Sequence, residues 1–265
     1  MAVITLLTDF GTRDAYVAAM KGVILQLAPD ATLVDITHQV APQDVAEGAF
    51  ALAACWRYFP DGTVHLAVVD PGVGSARRGI AIAAEGHYFV GPDNGLFSMA
   101  LAHCGTRRIV ALENARLFRH PVSHTFHGRD IFAPVAALLS RGMALTEAGP
   151  EVADMVLLPQ AAPRRVGPGE WEGEVLAVDR FGNLITNVRG EGLAHEKVRV
   201  MVGGLEIRGV SRCYADVDEG ALLALVGSSG FLEVAVNRGS AARLLKAERG
   251  TPVRVRVEHP AVPPT

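Results

Sequence analysis

Between residues 3 and 150 the chain alternates between two hydrophobic periods, and that alternation restricts it to few architectures. Val3 to Leu7 is an apolar run ending at Thr8-Asp9, as expected of a strand buried on both faces. Val17, Met20, Val23, Ile24 and Leu27 follow at helical spacing, and Pro29 stops that helix. Thr32 to Ile36 reads as the next strand, and residues 42 to 58 as an Ala-rich helix with Pro42 in its first turn. Thr63 to Val69 is strand-like again and ends at Asp70. Ile80 to Ala84 and Tyr88 to Val90 read as a strand pair turned on Glu85-Gly86. Residues 130 to 140 return to a helical pattern that Pro134 interrupts. Strands alternating with helices predict βαβ units, hence an α/β domain over residues 1–158 with a mainly parallel sheet. Ligands of such sheets sit beyond the carboxyl ends of the strands, where Asp9 and Asp70 fall.

A Pro-, Gly- and Arg-rich stretch, PQAAPRRVGPG, marks a boundary, and residues 159–170 are read as a linker. Beyond it, residues 171–265 carry short strands at close turn spacing: Glu174 to Val178, Leu184 to Val188, Lys197 to Val202, Ala221 to Val226, Phe231 to Val236 and Pro252 to Val257. This predicts an all-β, barrel-like second domain.

A net charge of −3 and the absence of any Lys/Arg run argue against a nucleic-acid partner. Cys55, Cys104 and Cys213 are far apart and odd in number, which speaks against a disulfide framework or a cysteine zinc site. The first residues lack the basic and apolar regions of a secretory signal, and no apolar stretch reaches the length of a membrane span. A cytoplasmic protein without membrane attachment is the expectation.

Six motifs carry candidate chemistry. Thr8-Asp9-Phe10-Gly11, followed by Asp14, places a carboxylate where a ribose diol binds; the plain alternative is a turn with Asp14 capping the helix. VVDPGVGSARR brings Asp70 near Arg77 and Arg78, either to hold a reacting oxygen or as a surface ion pair. HTFHGRD sets His127 beside Gly128 for proton transfer, or holds a structural His with Asp130 as helix cap. Gly91 to Gly95 reads mainly as a turn. DRFGNLITN groups Asp179, Phe181 and Asn183 in a manner suited to a heteroaromatic ring, and GSSGFLEVAVN offers hydroxyls, amides and Glu233. Asp9, Asp70, Asp93, His124 and His127 are metal-ligand types, but no close pairing such as HExxH occurs, so no metal is expected.

In this order, LLTDFGTRDAYVAAMKG, HQVAPQDVAEGA, VVDPGVGSARR, GPDNGL, TFHGRDIFAP, DRFGNLITN and GSSGFLEVAVN resemble the S-adenosylmethionine hydrolases, or SAM hydroxide adenosyltransferases, which are related to the fluorinases and chlorinases. The resemblance covers nearly the whole chain. It implies hydrolysis of S-adenosyl-L-methionine to adenosine and methionine, with no cofactor. It also implies a homotrimer whose ligand lies between the N-terminal domain of one subunit and the C-terminal domain of the next. By the same match Asp70, Arg77 and His127 hold and activate water, with Asp70 or His127 taking its proton. Asp9 holds the ribose, Asn183 the adenine edge, and Tyr214 or Phe181 the ring face. Ser228, Ser229 and Glu233 lie near the methionine end, and Phe10, Asp14, Asn94 and Asp179 complete the substrate set.

Three departures from the halogenase pattern point to water rather than halide. Asp70 stands where the fluorinases have Tyr, Gly128 where they have a halide-binding Ser, and only Ala84 to Gly91 occupies the place of their long insertion. The competing readings are a chlorinase-like halogenase, a non-catalytic SAM- or adenosine-binding protein, and a metal-dependent hydrolase.

Overall fold

A computed structural model describes residues 2–159, 162–193 and 197–258. The chain divides after Leu158 into two compact units.

Unit 1 is built on a seven-stranded sheet among the described residues. Its strands are β1 (Val3–Thr8), β2 (Thr32–Thr37), β3 (Val64–Val68), β4 (Gly79–Ala84), β5 (His87–Pro92), β6 (Arg107–Ala111) and β7 (Glu151–Val152), in the order β2-β1-β3-β5-β4-β6-β7. The expectation of a mainly parallel sheet is corrected. The pairings β1–β2, β1–β3 and β3–β5 are parallel, whereas β4–β5, β4–β6 and β6–β7 are antiparallel. The cause is local. Glu85 and Gly86, with φ of 50° and 79°, turn β4 directly into β5, and two residues are too few for a parallel crossover.

Strand alternation sorts two cores. Ile4, Leu6, Val64, Leu66 and Val68 pack with α1 (Tyr16–Leu27) and α3 (Ala133–Ser140). Leu7, Ala67 and Val69 face the other way, onto Leu52 of α2 (Val45–Ala53), Trp56, Phe89 and Phe97. Pro42 does not enter the first turn of α2; Asp44 caps it by accepting from Glu47 N at 3.0 Å. Pro134 occupies the first turn of α3, where a missing N–H costs nothing, and a single wide π-turn, Gly128–Phe132, precedes it.

Unit 2 carries β8 (Arg164–Gly167), β9 (Glu170–Val178), β10 (Leu184–Arg189), β11 (Lys197–Val202), β12 (Leu205–Arg208), β13 (Leu222–Val226), β14 (Phe231–Val236) and β15 (Pro252–Glu258). They run in the order β12-β11-β15-β9-β10-β14-β13, with β8 beside β9. All named pairings are antiparallel. Ser211, just past β12, bridges to Leu225 of β13, so the sheet is nearly barrel-shaped. Its interior is Val- and Leu-rich, including Val200, Leu232, Val234 and Val255. Among the described residues no helix is long and apolar enough to cross a membrane.

In unit 1, His65 and His87 stack inside the second core, with ring centroids 5.2 Å apart. His65 Nδ1 pairs with Thr5 Oγ1 at 2.8 Å and its Nε2 with His87 Nδ1 at 3.2 Å. Burial, and then the neighbouring His87, push His65 down to about 3; burial also lowers His87. The folded chain therefore refuses protons that the unfolded chain accepts below its ordinary value of 6.5. The full contribution is present above that pH and is lost as pH falls towards about 3. The stability of unit 1 against urea should fall by up to about 1.4 kcal/mol per unit decrease in pH for a fully shifted histidine, and His65→Gln should flatten that slope.

Candidate active site

Four strands of unit 1, β2, β1, β3 and β5, run parallel, so their carboxyl ends share one edge of the sheet. That edge carries Asp9, His38, Asp70 and the turn around Asp93 and Asn94. The alternation that buries Val64, Leu66 and Val68 against α1 and α3 directs Asp70, two residues further on, towards the same side.

Asp70, Arg77 and His127 are brought together there. Arg77 Nε donates to Asp70 Oδ1 at 2.9 Å, and Nη2 donates to both Asp70 Oδ2 and His127 Nδ1, the latter at 2.9 Å. The Asp70 and Arg77 side chains are only 5% and 11% exposed, so the sequence alternative of a surface ion pair does not describe them. The guanidinium also lies 5.2 Å from the centroid of Phe132. Two loops must meet closely for this. At Gly74 (φ +78°) a Cβ would stand 2.4 Å from the carbonyl oxygen of His124, a distance only glycine permits.

The proton position on His127 follows from its partner. A guanidinium only donates, so Nδ1 is bare and the proton of the neutral ring sits on Nε2. Burial, and next the Arg77 charge, push His127 below its ordinary value, while Asp70 and Asp130 pull the other way. The loop bearing His127 is closed by Asp130, which is fully buried. Asp130 accepts from Ser123 N at 2.9 Å and from the guanidinium of Arg129 at 2.7 Å, so it is not the helix cap considered from sequence. Burial raises its carboxyl, but these donors outweigh that and leave it below the usual carboxylate range.

Asp9 accepts from Gln43 N at 2.7 Å, with Gln43 held at φ 68°, a left-handed conformation costly for a side-chain-bearing residue. Thr8 Oγ1 pairs with buried His38 Nδ1 at 2.8 Å. His38 Nε2 lies 3.1 Å from Asp35 Oδ1. Phe10 packs with Tyr16 and Phe126, the residue before His127, at centroid distances of 5.7 and 5.9 Å. Asp14 is exposed and does not cap α1, whose cap position is Ala15. Asn94 spends both ends of its amide on backbone, donating to Val69 O at 2.8 Å and accepting from Leu96 N at 3.2 Å.

In unit 2, Asp179, Asn183, Tyr214 and Glu233 form a second cluster. Asn183 Nδ2 donates to Asp179 Oδ2 at 2.8 Å and reaches Tyr214 Oη at 3.4 Å, while the Tyr214 hydroxyl donates to Glu233 Oε1 at 2.7 Å. Burial, then Glu233, push Tyr214 up to about 12. Burial also raises Glu233, opposed by the Tyr214 hydroxyl and reinforced by Asp179. Phe181 stands 75% exposed beside this cluster in sequence. Ser228 and Ser229 occupy the turn closed by Gly230 N to Gly227 O at 2.9 Å. Among the described residues no group of three or more His, Cys, Asp or Glu converges as a metal site would require.

Two sequence profiles match the chain. The SAM hydroxide adenosyltransferase N-terminal domain covers residues 4–149, and the corresponding C-terminal domain covers residues 173–254. The chain belongs to the SAM hydroxide adenosyltransferase family. Within it, the chain is 45% identical to the (R)-S-adenosyl-L-methionine hydrolase of Thermus thermophilus, across 94% of this chain and 97% of that protein. It is 36% identical to the one from Methanocaldococcus jannaschii, across 93% and 92%. A fluorinase from Nocardia brasiliensis is more distant, at 29% identity across 96% and 97%. A crystal structure of a conserved protein from Thermotoga maritima superposes with a TM-score of 0.90 at 39% identity, covering 96% of this chain and 99% of that one.

Against this family background, sequence reading missed Thr8–His38, Asp130 as loop anchor, and Gln43 as the partner of Asp9. The available signal was weak: two neighbouring strands each end in Thr, and Asp130 sits in an Arg-Asp pair. Nitrogen-15 NMR of labelled protein should find the His127 titration midpoint below the ordinary histidine value, with the neutral ring protonated on Nε2 and Nδ1 bare. Arg77→Ala should raise its pKa and free the tautomer.

Proposed function

We propose that this chain hydrolyses S-adenosyl-L-methionine to adenosine and L-methionine, by attack of water on C5′. The observation that carries the reading is the Asp70–Arg77–His127 line, with an oriented N–H at one end and a carboxylate at the other. The activity named for relatives at 36–45% identity supports it.

The chemistry is a single displacement. The water oxygen bonds to C5′ while the C5′–S bond breaks, and its electron pair returns to sulfur, which leaves as the neutral thioether of methionine. One proton must be removed from the water. Sulfonium is already a good leaving group, so the protein must mainly supply alignment, which in well-oriented reactions lowers a barrier by roughly 7–11 kcal/mol. His127 Nε2–H donates to the water oxygen and Arg77 favours its hydroxide character. The single lone pair of His127 Nδ1 is taken by Arg77, whereas each Asp70 oxygen keeps a second lone pair beyond its Arg77 N–H, so the Asp70 carboxylate is the group left to accept the proton.

The substrate contacts follow from which lone pairs remain. Asp9 gives one oxygen to Gln43 N and keeps the other for the ribose diol. Asn183 commits its nitrogen to Asp179, leaving Oδ1 to accept from the exocyclic amine of adenine, with Phe181 or Tyr214 against the ring. Ser228, Ser229 and Glu233 serve the methionine end. No cofactor takes part. The active form is a homotrimer in which the two residue sets come from different subunits. A cytoplasmic location suits three unpaired thiols.

The halogenase alternative meets a specific obstacle. At Gly128 there is no hydroxyl for a halide, and a Cβ would already stand 3.2 Å from the buried Met20 sulfur. Incubation with S-adenosylmethionine without halide should yield equal adenosine and methionine by chromatography, unaffected by chelator. Asp70→Ala, Arg77→Ala and His127→Ala should each lower kcat by about a hundredfold or more. Wild-type turnover in Arg77→Ala or His127→Ala, or a requirement for chloride, would refute the assignment.

A further inference from the structure

Both flanks of the loop that carries Asp70 and Arg77 are held by two consecutive residues of another turn. Strand β3 ends at Val68, and its neighbour β5 ends at Pro92, which has no N–H to extend the ladder. The carbonyl of Val69, the residue immediately before Asp70, is satisfied instead by the side-chain amide of Asn94 at 2.8 Å. On the far flank, Arg78, the residue immediately after Arg77, donates from Nε to Asp93 Oδ2 at 2.9 Å, and its carbonyl accepts from Asp93 N at 3.0 Å. Asp93 is itself anchored: its side chain is 2% exposed and its Oδ1 accepts from Val156 N at 2.7 Å. Asn94 Oδ1 takes Leu96 N, which fixes the amide so that nitrogen, not oxygen, faces Val69.

We infer that Asp93 and Asn94 form a clamp that sets the separation and orientation of Asp70 and Arg77, and that Asn94 is a positioning residue for the reaction rather than a substrate contact. The inference rests on the hydrolase reading above. Its physical basis is that each clamp residue bonds the backbone of a residue next to a reacting side chain, with Asn94 engaged at both its amide nitrogen and oxygen and Asp93 at both carboxylate oxygens. Asn94 in particular places an amide N–H on Val69 O and accepts from Leu96 N. Small displacements of aligned groups are costly, on the order of a hundredfold in rate for an ångström. The effect should therefore appear in kcat and not in KM.

Asn94→Asp isolates this contact. It keeps an acceptor for Leu96 N but turns the Val69 side from donor to acceptor, so two oxygens oppose each other. The introduced carboxyl can regain the contact only when protonated, and its position against a carbonyl raises its pKa. In steady-state assays of the full chain with S-adenosylmethionine, kcat of Asn94→Asp should fall about ten- to a hundredfold near pH 8. KM should stay within about twofold, and the gap from wild type should narrow as pH falls. Asn94→Ala should show a kcat loss that does not vary with pH. Asp93→Asn, which keeps an acceptor for Val156 N but turns an amide NH2 towards the Arg78 guanidinium in place of a carboxylate oxygen, should lower kcat with KM retained. Adenosine binding by calorimetry identifies folded variants: loss of rate with binding intact supports the clamp. A rise in KM with kcat preserved would make Asn94 a substrate contact, and unchanged kcat would show that the loop is held without it; either overturns the proposal. If wild type itself left S-adenosylmethionine intact, the hydrolase reading would fall first and the clamp for that reaction with it.

Discussion

The bidentate pairing of Asp70 with Arg77 is the interaction on which the rest of unit 1's reactive edge depends. Both side chains are nearly withdrawn from water, and an unpaired carboxylate there would cost several kcal/mol. The planar guanidinium fork meets both carboxylate oxygens and still has an N–H for His127. That third bond decides the ring's tautomer. Charge, geometry and proton inventory thus form one unit, and replacing any member leaves the others both misaligned and uncompensated.

The surrounding fold can be understood as what this pairing needs. Period-two packing along β3 sends Asp70 to the α1 and α3 side, where the π-turn Gly128–Phe132 presents His127 and sets the Phe132 ring beside Arg77. Gly74 lets the Asp70 loop touch the His124 carbonyl, and Asp130 ties down the loop from the opposite direction. The strained Gln43 holds Asp9 at the end of the adjacent parallel strand.

Much of this was legible in the sequence wherever a residue's role depends on a short-range pattern. The apolar runs ending at Asp9 and Asp70, the Glu85-Gly86 turn, and the strands Lys197–Val202 and Phe231–Val236 could be read from alternation and turn chemistry. The parallel character of the sheet could not, because it depends on which strand β4 and β6 choose as neighbours. Apolar strands buried on both faces look the same in either direction. The site followed the same division. The collinear motifs named Asp70, Arg77 and His127, whereas the backbone roles of Asn94, Asp130 and Gln43 depend on partners 7–34 residues away, which no local pattern encodes. Asn94 shows the difference most clearly: its position in the chain suggests a turn or a ligand contact, and its bonds show that it supports the residue before Asp70.

The central claim is that water held by Asp70, Arg77 and His127 attacks C5′ of the substrate. Turnover in water enriched in heavy oxygen, with both products weighed by mass spectrometry, tests it most directly. The account predicts one heavy oxygen in the 5′-hydroxyl of adenosine and none newly placed in methionine. Heavy oxygen in a homoserine product, accompanied by methylthioadenosine, would place the attack on the other side of sulfur and contradict it.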